Sequence, residues 1–272
     1  SNLMASGMPR GICTETWVIE HKDIIQELQR SYIEAGSRII YAPTFGGNRI
    51  NLKKHGLQDR IEEINRTLVG YSREVAPEGV YVAGDITTSG EFIIPDGDDE
   101  DYTYDTAFQM YQEQVRILCD AGVDLIVAET MISIDETLAA VDAVRSVCDL
   151  PIMCSVTVDA DGSIFSGGNA IEAAISLEAA GADAVGINCS VGPDQLVSVV
   201  RSIKEKVSIP VIAKPNAGMP TIDGNGTAVY HMTPEDFARH MKVLTENGAS
   251  IIGGCCGTSP AFIKAMHDII CD

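Results

Sequence analysis

The sequence is poor in positive charge: 19 lysines and arginines face 39 aspartates and glutamates, a formal net charge of −20 over 272 residues. With no basic stripe to neutralise phosphates, nucleic acid is excluded as a partner class, and the acidity is read as a solubility feature. No apolar run approaches the ~20 residues needed to cross a bilayer, so a membrane-spanning role is not expected. The opening SNLMASGMPRG lacks the basic flank and long apolar stretch of a secretory signal. Eight cysteines are too few and too scattered for a disulfide framework in a chain this long, and a reducing, cytoplasmic setting is expected. The five histidines lack metal-ligand spacing such as HExxH, and the GGN and SGG segments lack the context of a dinucleotide fingerprint. No linker, repeat or second domain interrupts the chain, so residues 1–272 read as one domain.

What is present is an ordinary globular balance of 45% hydrophobic and 21% charged residues. Short, continuous, β-branched runs at 37–41, 80–86, 124–129, 151–156, 184–188, 210–214 and 250–253 read as strands covered on both faces. Helical patterns alternate with them at 22–35, 57–76, 106–121, 134–147, 170–180, 194–206, 233–246 and 260–271. Several of these end in glycine just before the next strand, at 122, 181 and 248. Alternation of this kind predicts an α/β fold, a (β/α)8 TIM barrel. Seven strands against eight helices means that the first strand is missing; it would precede Ser1, and its neighbours would be left as open edges. The acidic segment 96–105 is read as a solvated connection, since it lacks EF-hand spacing.

In such barrels the active site lies at the C-terminal ends of the strands. Cys189, in GINCS, and Cys255 and Cys256, in GGCCGT, follow strands in this way. Three thiolates converging on one rim would be three soft ligands for Zn²⁺, with a fourth tetrahedral position left open as in catalytic sites. Adjacent cysteines on a regular strand face opposite sides, and the flanking Gly253, Gly254 and Gly257 leave the backbone free to bend both sulfurs inward. Cys13, Cys119, Cys148, Cys154 and Cys271 are expected to be small buried hydrophobes.

Residues 253–260 (GGCCGTSP) and 186–193 (GINCSVGP) resemble the zinc motifs of the homocysteine S-methyltransferase family. The resemblance extends to TFGGNRINLKKHGL, GDITTSGE at 84–91, AET at 128–130 and KPNAGMP at 214–220, and the TFGGNR block is closest to the cobalamin-dependent methionine-synthase branch. It implies a zinc-dependent S-methyltransferase that activates the thiol of L-homocysteine and forms methionine. It also implies a methyl group supplied from methylcobalamin and 5-methyltetrahydrofolate by cobalamin- and folate-binding modules or proteins. A stand-alone enzyme using S-methylmethionine or betaine, or a non-catalytic metal-binding barrel, stays open as an alternative. The resemblance assigns Glu129 to the substrate ammonium. Asp85 at another strand end is placed to hold threonine or backbone donors, Thr44 and Asn188 are polar liners, and Asn216 is equally a turn residue. Where many members carry Thr-Asn-Thr-Phe, this chain has Ala42-Pro43-Thr44-Phe45, which removes a possible amide contact.

Overall fold

The fold is taken from a computed structural model that describes residues 2–98, 101–224 and 228–271. Among these residues the strands run in the order β1 (Ile39–Tyr41), β2 (Tyr81–Ile86), β3 (Leu125–Met131), β4 (Ile152–Val156), β5 (Ala184–Cys189), β6 (Val211–Pro215), β7 (Thr221–Ile222), β8 (Ala228–Val229) and β9 (Ala249–Ile252). Eleven α-helices accompany them: α1 (Asn2–Ala5), α2 (Thr14–Glu20), α3 (Lys22–Glu34), α4 (Arg49–Lys53), α5 (Ile61–Val75), α6 (Tyr104–Ala121), α7 (Ile134–Val147), α8 (Ala170–Ala180), α9 (Val197–Lys204), α10 (Pro234–Glu246) and α11 (Pro260–Ile270). All seven expected strands are present within two residues of their expected bounds. The helix expected at 57–76 begins as a 3-10 turn at Gln58–Arg60, and the one at 194–206 is shortened to α9 behind a second such turn at Pro193–Gln195. Helices α1, α2 and α4 and the β7–β8 hairpin were not expected from the sequence.

Seven strands form one parallel sheet in the order β1-β2-β3-β4-β5-β6-β9, each paired with its successor in the series. Parallel pairing follows from the helical crossovers, because consecutive parallel strands need a long connection. The outer edges of β1 and β9 pair with no strand among the described residues. Between those edges runs a cavity of about 580 Å³ walled by Leu28, Gln29 and Tyr32 of α3, by β1 and β9, and by Ile263 and Met266 of α11; it reaches inward to Glu129, Lys214 and Cys255.

The period-2 alternation of the strands divides the core into two. Outward-facing residues such as Val82, Ile126, Ile152, Cys154, Val185 and Val211 merge with the helix faces into one large cluster. The alternate residues Ala83, Leu125, Val127, Met153, Ala184 and Ile212 form a separate inner cluster with Ile39, Tyr41 and Ile251. Two residues further along the same alternation the inner face becomes polar: Asp85, Glu129, Ser155, Asn188 and Lys214 follow Ala83, Val127, Met153, Gly186 and Ile212. This polar layer marks the C-terminal end of the sheet, where such folds carry their chemistry.

The cysteines outside the rim differ from the sequence expectation in part. Cys13 and Cys154 are buried, but Cys119 and Cys148 are only half-buried and Cys271 is exposed. Cys148 lies just past the end of α7, and its sulfur lies 3.1 Å from that of Cys119 on α6. Tyr104 and Asp105 of the acidic segment belong to α6, and its residues 99 and 100 lie outside the described residues.

Candidate active site

Cys189, Cys255 and Cys256 are brought together: one sulfur from each lies within 4.8 Å of the others, the only such group of potential metal ligands among the described residues. The Cys189 and Cys256 sulfurs are 3.8 Å apart. Two thiolates on a tetrahedral zinc ion with Zn–S near 2.3 Å lie about 3.8 Å apart, so the spacing present suits Zn²⁺. Hydrogen bonds with Cys189 and Cys255 hold Cys256 well below the ordinary thiol range, while hydrogen bonds with Cys189 and Cys256 push Cys255 well above it.

The backbone around the cysteines is bent and tied down. Cys189 and Ser190 adopt φ of 59° and 68°, left-handed values uncommon for residues with a side chain. The turn is held by the Ser190 hydroxyl, which donates to the Asn188 carbonyl at 3.0 Å and accepts from the Val158 N–H at 2.7 Å. On the other side, the Cys255 N–H donates to the Pro215 carbonyl at 2.8 Å. Gly257 sits at φ 81°, and a Cβ there would lie 2.3 Å from the Tyr230 ring, so the turn after the cysteine pair admits only glycine. Beside these sulfurs, burial first and then Cys256 push the Tyr230 hydroxyl up to about 12.

Two asparagines join the loops. The Asn216 amide donates to the Ser190 carbonyl at 2.9 Å, and its oxygen accepts from the Cys256 N–H at 3.1 Å. It therefore fixes the two cysteine segments relative to each other, which goes beyond the turn role considered from sequence. Asn188 accepts from the Thr130 N–H at 2.7 Å and the Ser155 hydroxyl at 2.8 Å, and donates to the Thr130 hydroxyl at 2.8 Å. Its amide also faces the Cys255 sulfur at 3.9 Å. Thr130 is β-branched with φ 57°, and Asn188 grips it at both N–H and hydroxyl. The polar atoms of Asn188 are thus committed to the frame of the site rather than lining a pocket.

Thr44 is fully buried, its hydroxyl donating to the Asp85 carbonyl at 2.8 Å and accepting from the Asp85 N–H at 3.1 Å. Asp85 thus holds a threonine, as expected, but through its backbone, and its carboxylate Oδ1 has no partner among the described residues. Burial, followed by the nearby Glu129 charge, raises the Asp85 carboxyl well above the usual range. Glu129 pairs with Lys214, which also donates to the Tyr41 hydroxyl at 2.7 Å and lies 4.2 Å from the centre of the Tyr41 ring. Burial alone would lower the Lys214 ammonium, but Glu129 and Tyr41 outweigh it and hold the group above the ordinary lysine range. Burial pushes Tyr41 up to about 12. Sequence reading did not single out Lys214, Tyr41 or Ser155; the available signal was the continuation of the inward-facing alternation into polar residues.

The class follows first: an open α/β barrel with three convergent thiols and a buried acid–base cluster at the C-terminal end of its strands. The profile of the family described as Homocysteine S-methyltransferase matches residues 2–270, and the chain belongs to that family. It is 31% identical over 266 residues to the methionine synthase of Mycobacterium tuberculosis (strain ATCC 25618 / H37Rv) and 30% identical over 266 residues to that of Mycobacterium leprae (strain TN). Each alignment covers 93% of this chain but 22% of the relative, so the chain spans about a fifth of those proteins. The metallated form of the homocysteine methyltransferase MmuM from Escherichia coli has a similar fold, with a TM-score of 0.79 at 19% identity over 98% of this chain and 92% of that one.

Proposed function

We propose that this chain is the homocysteine-activating part of a methionine-forming S-methyltransferase, with Cys189, Cys255 and Cys256 holding Zn²⁺. The observation that carries the reading is the mutual approach of the three sulfurs to within 4.8 Å at the strand ends. Three protein thiolates leave one tetrahedral position for a substrate thiol, and zinc, when bound, supplies the positive charge that keeps that thiol deprotonated at neutral pH. The chain's own residues do the rest. Asn188 and Asn216 hold the cysteine loops in register, so that the sulfurs need not reorganise when substrate arrives. Glu129, beside the same cavity as Cys255, receives the substrate ammonium. The thiol sulfur would form the new bond to the methyl carbon as the donor's own bond to that carbon breaks, the donor leaving with that electron pair, while the thiol's former proton goes to solvent.

The methyl donor in this reading is methylcobalamin carried on another module or protein, recharged from 5-methyltetrahydrofolate, in a cytoplasmic setting where the thiols stay reduced. In support, the relatives named methionine synthase are far longer than the matched region. Elemental analysis of Cys255→Ala and Cys256→Ala tests the metal assignment: both should lose zinc and keep the wild-type circular dichroism. Stoichiometric zinc in both variants would remove the three-thiolate site. Methionine formation from homocysteine with methylcobalamin, but not with S-methylmethionine or betaine, is the expected donor profile.

A further inference from the structure

The polar layer under the cysteines contains one basic and two acidic side chains. Lys214 on β6, Glu129 on β3 and Asp85 on β2 are all nearly enclosed: the Lys214 and Glu129 side chains are 11% and 15% exposed, and Asp85 is 5% exposed. The titratable groups facing Glu129 are Lys214, Tyr41 from β1 and Asp85; Cys255 lines the same cavity, and Glu15 lies beyond Asp85. Lys214 engages one Glu129 oxygen, Oε2, while the other has no partner among the contacts of the described residues, and the residue borders the cavity. The lysine is itself held on two further sides. The Tyr41 hydroxyl accepts its hydrogen bond at 2.7 Å, the Tyr41 ring lies beneath its ammonium, and Gly253 leaves room for its stem, where a Cβ would lie 3.3 Å from the Lys214 chain. Register places Lys214 opposite Asn188, one residue before the Cys189–Pro215 pair. The ion pair is therefore one step below the sulfur site, on the strand beside it.

An enclosed carboxylate with a second acid beside it takes up a proton unless a cation faces it. Among the described residues, Lys214 is the only cation in this layer. We propose that Lys214 is a positioning residue for substrate selection: it faces Glu129, binds one of its oxygens and leaves the other towards the cavity, and so makes the site select thiols that carry a primary ammonium over those that do not. Lys214 occupies only one Glu129 oxygen, so the other stays available beside the cavity to accept from a further cationic donor, which an α-ammonium group supplies. This rests on the reading of Glu129 as the ammonium receptor and adds the residue that makes that receptor work.

The test uses the zinc-loaded chain and calorimetric titration with two thiols, L-homocysteine and 4-mercaptobutanoate, which lacks the amino group. The wild type should prefer homocysteine by at least about tenfold near neutral pH, the scale of one charge-assisted contact. In Lys214→Met that preference should shrink to about twofold or less, through weaker homocysteine binding with 4-mercaptobutanoate little changed, and raising the pH by about two units should restore part of it. Zinc content should be unaffected. A Lys214→Met protein that keeps the full preference at every pH would overturn the proposal. Tyr41→Phe, which removes the hydrogen bond to Lys214 but keeps the ring, should give an intermediate preference. If Lys214→Met does not fold, an unchanged preference and pH profile in Tyr41→Phe count against the proposal. A wild type that binds zinc and 4-mercaptobutanoate without preferring homocysteine would instead remove Glu129 as the ammonium receptor.

Discussion

Glu136 gives the sharpest handle on how the rim is held. Its side chain is fully buried near the start of α7, where one carboxylate oxygen accepts from the Ser89 N–H at 2.8 Å, the Ser89 hydroxyl at 2.7 Å and the Tyr102 hydroxyl at 2.8 Å. The other oxygen accepts from the Thr88 hydroxyl at 2.5 Å. One buried charge thus anchors both ends of the long connection between β2 and α6. The same connection starts at Thr87, whose hydroxyl donates to the Glu129 carbonyl at 2.8 Å. Hydrogen bonds to a charged group contribute about 1.5–3 kcal/mol each, and a buried N–H left unpaired costs about 1–3 kcal/mol. The three hydroxyls can turn to water once the connection loosens, so Glu136→Ala should cost about 3–5 kcal/mol rather than the full sum. Glu136→Gln keeps the shape, loses the charge and should cost about 1–2 kcal/mol. Urea unfolding followed by circular dichroism measures both, and limited proteolysis should cut the 87–103 connection of the alanine variant before the rest of the chain. An alanine variant within about 0.5 kcal/mol of wild type, with this connection still resistant, would refute the anchoring argument.

Two further outcomes follow from the inner face of the barrel. Folding raises the Asp85 carboxyl, so between the unfolded value near ~3.9 and the higher folded value the native chain holds a proton that the unfolded chain releases. Stability on this account falls as pH rises through that interval; Asp85→Asn should therefore be more stable than wild type at mildly alkaline pH, with the advantage vanishing towards pH ~4 in thermal melts at a series of pH values. Gly186 faces the β6 backbone, and a Cβ there would lie 2.0 Å from the Ile212 carbonyl oxygen, an atom that cannot rotate away. Gly186→Ala should destabilise by about 1–3 kcal/mol or more in urea unfolding, and an unaffected midpoint would show that the two strands can part without cost.

The strands were legible because each is a short β-branched run closed by a turn or a helix stop; Gly122 and Gly181 adopt the left-handed conformation expected of such stops, with φ of 88° and 102°. Helices α2 and α4 were not legible, since seven and five residues are too few to establish an apolar period. At the site, Cys189 and the 255–256 pair stood out because glycines and strand ends surround them. Asn188 and Asn216 were read only as a polar liner and a turn residue, and Lys214 was not singled out, because what they do depends on partners far away in sequence. Asn216 reaches a carbonyl 26 residues back and an N–H 40 residues on, and Lys214 pairs with a carboxylate 85 residues away. A buried lysine is also rare enough that a strand-end KPN segment reads as exposed. Asp85 does meet Thr44, through its backbone rather than its carboxylate, a distinction that sequence does not carry.

The most direct test of the central claim is the zinc content of the purified chain, measured together with calorimetric titration of L-homocysteine in buffers of different ionisation enthalpy. The account predicts one zinc per chain and stoichiometric homocysteine binding that releases a proton to the buffer. A zinc-loaded chain that bound homocysteine with no proton release, or did not bind it at all, would contradict thiol activation at Cys189, Cys255 and Cys256.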